Sequence, residues 1–424
     1  MHRVKALSRT LLVICLILGT ILMSSCNMLY FITGGLIPPL QQNNGDTNSG
    51  TVAGDIYVNG GDTNNITINS SAGADTLAAS KAILSVVSIA AEFEKTSLSL
   101  LRPTTEPFYQ YGSGVIYKLN KEKGEAYIIT NYHVIYSSSD NSQSKIARNI
   151  SLFLYGMEFK DYAIKAEFVG GSLTYDLAVL KVSASPIIIS SLATAATVAD
   201  SNNVSILEPA IAIGNPNADG ISATLGHVSV DSETISLLAA DDLTQIDIRV
   251  MRIDTAINSG NSGGGLFNNK GELIGIVNAK RNFSDGMGYA IPSNVAKYVA
   301  DNIIYYCDGR PETQVQRMRL DVTVTANNAY VVYDNESGKI LKKETVVVSV
   351  LPNTSAVKDI LAVGDIITSM KIGEVEYNVS RTFHVVDAMI NAKVGDTVEF
   401  RIIRDGKDKV VSITLTEALI SKVQ

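Results

Sequence analysis

Cysteine is scarce in this sequence, with three residues among 424. Cys15 and Cys26 both lie near the N-terminus, in a segment that has the features of a targeting signal. The rest of the chain contains Cys307 alone, so the mature protein can form no internal disulfide. The fold is therefore expected to depend on its hydrophobic core, with Cys307 as a small apolar filler.

Positive charge and histidine are also in short supply. The formal net charge is −7 at pH 7, and the sequence contains four histidines. Because a negative chain without a basic patch or helix-turn-helix pattern would be repelled by a phosphate backbone, nucleic acid is excluded as an expected partner. No cluster of Cys and His has the spacing of a metal site, so neither a metal nor an organic cofactor is expected.

The first 25 residues have the parts of a secretory signal. A basic start with three Lys or Arg residues precedes the apolar run Leu11–Met23, and two serines then precede Cys26. This segment resembles a bacterial lipobox, with methionine in place of the usual leucine. A transmembrane anchor is the alternative, but the run is short for about 30 Å of hydrocarbon. We predict a lipoprotein signal peptide over residues 1–25 and a lipid on Cys26, which would anchor the protein to a bacterial membrane at the cell surface or on the periplasmic side.

Composition divides the rest of the chain into three parts. Residues 26–79 are rich in Gly, Asn, Thr, Ser and Asp and predict a flexible tether. Residues 80–310 contain many short apolar runs separated by turn residues, which favour a mainly β domain built as a double barrel or a sandwich. The amphipathic pattern NVAKYVADNIIYY predicts that a helix closes this domain. Residues 313–424 follow a polar, Pro-containing junction and predict a second, smaller domain.

Three short motifs each place a chemically useful residue beside an apolar strand. They are His133 in IITNYHVI, Asp176 in TYDLAVLKV and Ser262 in NSGNSGGGL. Taken singly, these would be a strand-end polar residue, a turn cap and a small loop residue. Their order along the chain, His then Asp then Ser, is that of the chymotrypsin-fold serine proteases. Together they predict a catalytic triad with Ser262 as the nucleophile.

The motifs resemble those of the HtrA (DegP-like) family of extracytoplasmic serine proteases. IDTAINSGNSGGGLFNNKGELIGIVNAK, GMGYAIPSNVAK, AIAIGNP and GSGVI follow that family's pattern between about Ser80 and Ala300. Ser259 and Gly265 depart from the usual residues and would loosen the loop. The resemblance implies a chymotrypsin-like double β-barrel, serine endopeptidase activity on unfolded or damaged proteins, a role in protein quality control, and homotrimers.

The glycine cluster around Ser262 fits this chemistry. A peptide carbonyl under attack becomes an oxyanion, which needs N–H donors about 2.7–3.1 Å away. The resemblance assigns these donors to the backbone of Gly260 and Ser262. Glycine at 260 permits the turn, and Gly263 with Gly264 lets the chain fold back beneath the nucleophile.

The expected primary specificity pocket contains no charged residue. By the same resemblance, its floor and walls are Ala256, Ile257, Val277, Asn278 and Ala279. No acid is present there to pair with lysine or arginine, so cleavage is expected after small or medium aliphatic side chains.

The C-terminal segment resembles a PDZ domain of α+β type through TVVVSVLPNTSAVKDILAVGDIITSM and VGDTVEFRIIRDGKDKVVSITL. PDZ domains bind a peptide C-terminus by strand addition. The carboxylate loop would contain Leu320, Asp321 and Val322, but Asp321 replaces the expected glycine and would need compensation from a neighbouring arginine. Peptide binding and a purely structural or regulatory role both stay open. SRTFHVVDAMINA predicts the second helix, with His384 in solvent.

Two other functions are compatible with parts of the sequence. A chaperone-like or scaffold lipoprotein would hold unfolded chains or peptide C-termini with weak or no proteolysis, but an intact triad argues against it. A surface adhesin on a β scaffold would give no reason for the His, Asp and Ser motifs to occur together. The sequence thus predicts a membrane-anchored, HtrA-like serine endopeptidase that acts on unfolded protein or peptide substrates.

Overall fold

A computed structural model of the chain describes residues 73–98, 103–278, 287–307, 313–335 and 338–423. All of them belong to one compact unit. The predicted signal peptide, Cys26 and the tether up to residue 72 lie outside the described residues. No helix in the described ranges is long and apolar enough to cross a membrane.

Strands dominate the described residues, and the helices between them are mostly short. The helices are α1 (Ala74–Ala82), α2 (Tyr132–Ile135), α3 (Pro186–Ser190), α4 (Ser293–Tyr306) and α5 (Thr382–Ala388). Strands β1 to β6 are Val86–Leu98, Pro103–Asn120, Glu125–Thr130, Asn149–Leu154, Ile164–Ser172 and Leu177–Val182. Strands β7 to β12 are Pro209–Gly214, Ser222–Leu238, Gln245–Ile253, Gly265–Phe267, Leu273–Asn278 and Gly288–Pro292. Strands β13 to β20 are Thr313–Met318, Thr323–Asp334, Lys339–Val350, Ile366–Ile372, Val375–Asn378, Thr397–Arg404, Lys407–Thr414 and Ile420–Val423.

The first six strands close into a barrel. Their order is β5-β4-β1-β2-β3-β6, and β6 pairs back onto β5. Side chains of β4 alternate between inside and outside, so Ile150, Leu152 and Leu154 are buried while the residues between them are not. This alternation is why the sequence shows many short apolar runs rather than long ones.

Strands β7 to β12 form a second closed barrel, in the order β10-β11-β12-β9-β8-β7. Strand β11 is buried along its whole length because α4 packs against it. The buried residues of α4 include Val295, Val299 and Ile303, which join the apolar cluster shared by the two barrels. The predicted double β-barrel and its closing helix are therefore confirmed.

The ordered part of the chain begins before the predicted boundary at residue 80. Helix α1 buries Ala78 and Ala82 in the cluster between the barrels. Gly271 lies so close to it that a Cβ there would be 2.9 Å from the Ala78 carbonyl oxygen. Residues 74–79, which the sequence predicts as tether, are thus part of α1. The small alanine side chains of this helix let it pack closely against the barrel.

The C-terminal domain has its own sheet and its own core. The sheet order is β14-β15-β16-β18-β19, with β17 on β16. Strand β13 precedes this sheet and pairs in parallel with β5, with Thr313 opposite Gly170 and Gln314 opposite Gly171, and antiparallel with β20. The C-terminal domain is therefore joined to the first barrel by strand pairing as well as by the chain.

Asn302 of α4 connects three elements at a buried position. Its side-chain oxygen accepts the Gln316 N–H at 2.9 Å, and its amide donates to the carbonyls of Gln316 at 2.9 Å and Ile390 at 2.7 Å. A buried amide needs such partners, because an unpaired one costs about 1–3 kcal/mol. The arrangement holds β13 and the chain that follows α5 against α4.

Helix α5 also faces the second barrel through charged and aromatic groups. Arg249 of β9 pairs with Asp387, and the guanidinium groups of Arg249 and Arg381 both lie over the ring of Phe383. The distances from the ring centroid are 4.1 Å to Arg249 and 4.9 Å to Arg381. Arg381 in turn donates to Asp231 at 2.9 Å. Because mostly buried charges need their partners, these pairs specify one docked orientation.

His384 is buried, so the prediction that it lies in solvent is wrong. Its exposed fraction is 8%. The sequence pattern predicts which face of α5 packs on the sheet of its own domain. It does not show that the second barrel covers a further face of the helix. Burial, and then the charges of Arg249 and Arg381, lower the pKa of His384 to about 4.

Acid should weaken the fold through His384. Because its pKa falls from about 6.5 when unfolded to about 4 when folded, the stability it gives is complete above pH 6.5 and is lost as the pH falls towards 4. Within this window, titration of His384 lowers the free energy of unfolding by at most about 1.4 kcal/mol for each pH unit of acidification. Thermal unfolding midpoints from pH 7 to pH 4.5 should therefore fall less steeply for His384→Gln than for wild type. The exposed His227, changed to glutamine, is the control, and equal slopes for wild type and His384→Gln would contradict the assignment.

Candidate active site

His133 lies on the single helical turn α2, directly after β3. Its Nε2 atom is 2.9 Å from the Ser262 hydroxyl, and its Nδ1 atom is 2.7 Å from the Asp176 carboxylate. A β strand that ends in one helical turn places the imidazole at the edge of the first barrel. The three residues predicted as a triad are thus brought together in hydrogen-bonding order.

Asp176 lies in the turn between β5 and β6 and is 1% exposed. Its φ of 48° is in the left-handed region, which aspartate tolerates better than most residues. One carboxylate oxygen accepts the backbone N–H of His133 at 3.0 Å. The other accepts from the His133 ring and from the Asn278 amide at 2.9 Å. These donors hold the carboxylate and, through it, the ring of His133.

Ser262 follows a tight turn in the loop before β10. The carbonyl of Asn258 accepts the N–H of Asn261 at 3.1 Å, and Gly260, the third residue of this turn, has a φ of 97°. Ser259 has no positive φ, so the positive φ of Gly260 makes this a type II turn, whereas type I needs a negative φ there. The central peptide group points in opposite directions in the two types, so this sign decides where the Gly260 N–H points. Within the described part of the chain, no acceptor is bonded to that N–H.

Ser113 of β2 supports the same turn. Its hydroxyl donates to the Gly260 carbonyl at 2.7 Å and accepts the Asn215 N–H at 2.8 Å, and its own N–H donates to the Ser262 carbonyl at 2.8 Å. Sequence reasoning did not assign Ser113 a role. The signal was present in the GSGVI motif, whose serine is the residue that makes these contacts.

The predicted pocket residues have three different environments. Ala256 is exposed, and Ile257 is partly buried and packs against the core of the second barrel. Val277 is fully buried in the core of the second barrel, in the cluster against which Ile257 packs. Asn278 was also predicted there, but its amide donates to Asp176. Ala279 lies outside the described residues.

The predicted carboxylate loop of the C-terminal domain contains one exposed charge. Leu320 is buried in the domain core, and Val322 packs against the same core. Asp321 has a φ of 52°, and its carboxylate accepts from the Arg319 side chain at 2.8 Å. Arg319 therefore supplies the compensation that an acid at this position requires.

Among the described residues, no group of three or more His, Cys, Asp or Glu side chains is placed to hold a metal ion. The polar groups around Ser262 are the His133 imidazole, the Asp176 carboxylate behind it and the backbone N–H of Gly260. This set is suited to moving a proton from a hydroxyl and to stabilising a negative oxygen.

Comparison with known proteins agrees with this geometry. A trypsin-like peptidase domain matches residues 112–276, and a PDZ domain matches residues 320–415. The serine protease Do-like HtrA of Lactococcus lactis strain IL1403 is 33% identical over 72% of this chain and 71% of its own length. The protein of the same name from Bacillus subtilis is 34% identical over 72% of this chain and 63% of its own length. The periplasmic serine endoprotease DegP of Escherichia coli K12 is 31% identical over 75% of this chain and 59% of its own length.

A double barrel with these domain matches defines a trypsin-like serine endopeptidase followed by a PDZ domain. The chain belongs to the Do-like HtrA family of serine proteases. The resemblance drawn from the sequence motifs is thus confirmed.

Asn278 should act as a positioning residue. Changing it to alanine removes one donor to Asp176 and should lower kcat by roughly tenfold or more, because a hydrogen bond to a charged group contributes about 1.5–3 kcal/mol. Asn278→Asp places a second carboxylate beside the first, so the acid limb of the pH–rate profile should move to higher pH. Asn269→Ala, an exposed asparagine in the turn between β10 and β11, is the matched control. Activity of Asn278→Ala within twofold of wild type, with an unmoved profile for Asn278→Asp, would show that the residue has no such role.

Proposed function

We propose that Ser262, His133 and Asp176 hydrolyse peptide bonds through an acyl-enzyme. The observation that carries this proposal is the continuous hydrogen-bonded row from Asp176 through His133 to Ser262, with contacts of 2.7 and 2.9 Å. His133 accepts the proton of the Ser262 hydroxyl as the oxygen attacks the peptide carbonyl. Asp176 keeps the imidazole in the required tautomer and stabilises its protonated form.

The two halves of the reaction use the same groups. Protonated His133 gives its proton to the leaving amine as the carbon–nitrogen bond breaks, which leaves the acyl group on Ser262. Water then attacks the ester while His133 accepts its proton, and His133 returns that proton to the Ser262 oxygen as the acyl–oxygen bond breaks and the carboxylic acid is released. The N–H groups of Gly260 and Ser262 stabilise the oxyanion in both halves, and the type II turn at Gly260 supports this role.

We further propose that the pocket before the scissile bond accepts small or medium aliphatic side chains. Ala256 supplies a methyl group to its floor, and the Ala256 carbonyl accepts from the Thr224 hydroxyl at 3.0 Å. Ile257 packs close to Gly288, where a Cβ would lie 2.7 Å from its side chain. No carboxylate from these residues is available to a basic side chain.

The PDZ domain is proposed to add a second contact for long unfolded chains. Strand β14 is an edge of its sheet among the described residues, and an edge strand can pair with an extended peptide. The Arg319 contact to Asp321 lowers the repulsion that a peptide carboxylate would meet at this loop. A second site raises the effective concentration of a long substrate at Ser262, which suits a role in protein quality control.

The protein is proposed to act outside the cytoplasm. The E. coli relative is named a periplasmic endoprotease. The sequence pattern of residues 1–25, which predicts a lipoprotein signal peptide, supports anchoring through a lipid on Cys26. The homotrimer stays a prediction. The rival function, a scaffold that holds chains without cutting them, is less favoured because it gives no reason for the hydrogen-bonded triad.

Replacing the nucleophile tests the proposed mechanism. Ser262→Ala should lower casein turnover by roughly 10⁴-fold or more with an unchanged thermal midpoint, because triad members act as a unit. Asp176→Asn should cost a comparable or smaller factor by favouring the wrong tautomer. Ser183→Ala, at an exposed position directly after β6, is the control. Residual turnover by Ser262→Ala within tenfold of wild type would refute the assignment.

The pocket is tested with peptides that differ only in the residue before the scissile bond. Cleavage after Val, Ala, Ile or Leu should exceed cleavage after Lys or Arg by at least about tenfold in kcat/KM, since an apolar site leaves a buried ammonium or guanidinium unpaired. Ala256→Asp should narrow this difference. A dominant preference of the wild-type enzyme for basic residues would overturn the proposed specificity.

A further inference from the structure

The hydroxyl of Ser113 is buried on β2, beside the turn that precedes Ser262. The exposed fraction of Ser113 is 0%. Its Oγ atom lies 2.7 Å from the carbonyl oxygen of Gly260 and 2.8 Å from the backbone nitrogen of Asn215. This one hydroxyl therefore joins the first barrel to two segments of the second barrel, the loop before β10 and the end of β7.

The two partners fix the direction of the hydroxyl proton. A backbone N–H can only donate and a carbonyl can only accept, whereas a hydroxyl has one proton and can do both. Because the Asn215 N–H donates to Oγ, the proton of Ser113 has to point to the Gly260 carbonyl. The Gly260 carbonyl is thus held by a donor whose direction is already set.

The rest of the turn is enclosed by the same strand. The N–H of Ser113 donates to the Ser262 carbonyl at 2.8 Å. A Cβ on Gly214, at the end of β7, would lie 2.9 Å from the Ser113 hydroxyl and 2.8 Å from the side-chain oxygen of Asn261. The carbonyls at both ends of the segment from Gly260 to Ser262 are therefore bonded to one residue, with little space around them.

The held carbonyl is next to the N–H that is proposed to bind the oxyanion. The carbonyl and the N–H of Gly260 lie on either side of the same Cα atom, so the direction of one depends on the rotation of the other. Glycine has no Cβ to restrict this rotation, and the φ of 97° at Gly260 is only one of the values open to it. Fixing the carbonyl removes one of the two rotations through which the turn could rearrange.

We propose that Ser113 is a positioning residue whose hydroxyl keeps the turn at Gly260 in the type II arrangement that directs the Gly260 N–H to the oxyanion. The inference rests on the proposed function, because it takes this N–H as a donor in the transition state. Without the hydroxyl, a carbonyl and an N–H would be buried without partners. Rotation of the Gly260 peptide group relieves that cost and takes its N–H away from the oxyanion.

The opposing strand supplies a matched control. Ser88 of β1 lies opposite Ser113 in the strand pairing and is also buried, with 4% of its surface exposed. Among the described residues, no group is hydrogen-bonded to the Ser88 hydroxyl. Ser88→Ala therefore removes the same atom from the same barrel without releasing the turn at Gly260.

The experiment compares the full chain as wild type, Ser113→Ala, Ser113→Cys and Ser88→Ala. Turnover of a peptide p-nitroanilide with valine before the scissile bond gives kcat and KM. Inhibition is measured with a peptidyl trifluoromethyl ketone and with the matching alcohol. With the ketone, the Ser262 oxygen bonds to the carbonyl carbon, the Ser262 proton passes to His133, and the former carbonyl oxygen carries the negative charge. The alcohol cannot form this oxyanion.

Ser113→Ala should lower kcat by roughly tenfold to a hundredfold and change KM by less than about twofold, because the oxyanion is bound only in the transition state. Its inhibition constant for the ketone should rise by the same factor as kcat falls, while that for the alcohol stays unchanged. The pH–rate profile should keep its midpoint, since His133 and Asp176 are untouched. Ser113→Cys, with a weak donor of similar size, should lie between wild type and Ser113→Ala, and Ser88→Ala should resemble wild type.

A kcat of Ser113→Ala within about threefold of wild type, or equal weakening of the ketone and the alcohol, would overturn the role of Ser113. A shifted pH–rate midpoint would also overturn it, because the effect would then act on the triad. If Ser113→Ala does not fold at the assay temperature, the ratio of the two inhibition constants for Ser113→Cys decides. Failure of the proposed function would be distinct, because wild type would then not cleave the p-nitroanilide, or Ser262→Ala would cleave it as well.

Discussion

The carboxylate of Asp176 is the group on which the two barrels converge. A buried anion is costly unless it is fully hydrogen-bonded, and its donors come from both sides of the cleft. His133 in the first barrel supplies its backbone N–H and its ring, and Asn278 in the second barrel supplies its amide. The carboxylate is therefore satisfied only when the barrels are packed together. The catalytic geometry follows from that packing, because the same carboxylate orients the imidazole towards Ser262.

Close packing of backbone explains the glycines on the nucleophile's side of this arrangement. A Cβ on Gly263 would lie 2.2 Å from the Ser113 carbonyl oxygen, and one on Gly264 would lie 2.4 Å from that of Ile213. Gly265 is a departure from the usual family residue, but here a Cβ would lie 2.3 Å from the ring of Phe267. The large ring thus occupies the space that a side chain at 265 would need. Gly265 is therefore required for packing, and the expectation that it loosens the loop is not needed to explain it.

Local pattern was sufficient to predict the triad, the double barrel and the helix that closes it. The residues around His133, Asp176 and Ser262 form short motifs whose order along the chain identifies the chemistry. The burial of Val277 and the hydrogen bond from Asn278 to Asp176 could not be predicted from the motifs, because a position along a strand does not show whether a side chain turns to the core, the pocket or a neighbouring carboxylate. The burial of His384 was missed for a related reason, since its helix is held to the second barrel by Arg249, which pairs with Asp387 from more than a hundred residues away in sequence. Contacts between domains leave no periodic signal in either partner.

The central claim, that Ser262 is a serine activated by His133, is tested most directly by covalent labelling. The full chain would be treated with a fluorophosphonate probe, and the modified residue located by peptide mass mapping. We expect one adduct, on Ser262, formed without added metal, absent from Ser262→Ala and formed far more slowly by a folded His133→Ala variant. An adduct on another residue, or a labelling rate that His133→Ala leaves unchanged, would contradict the account.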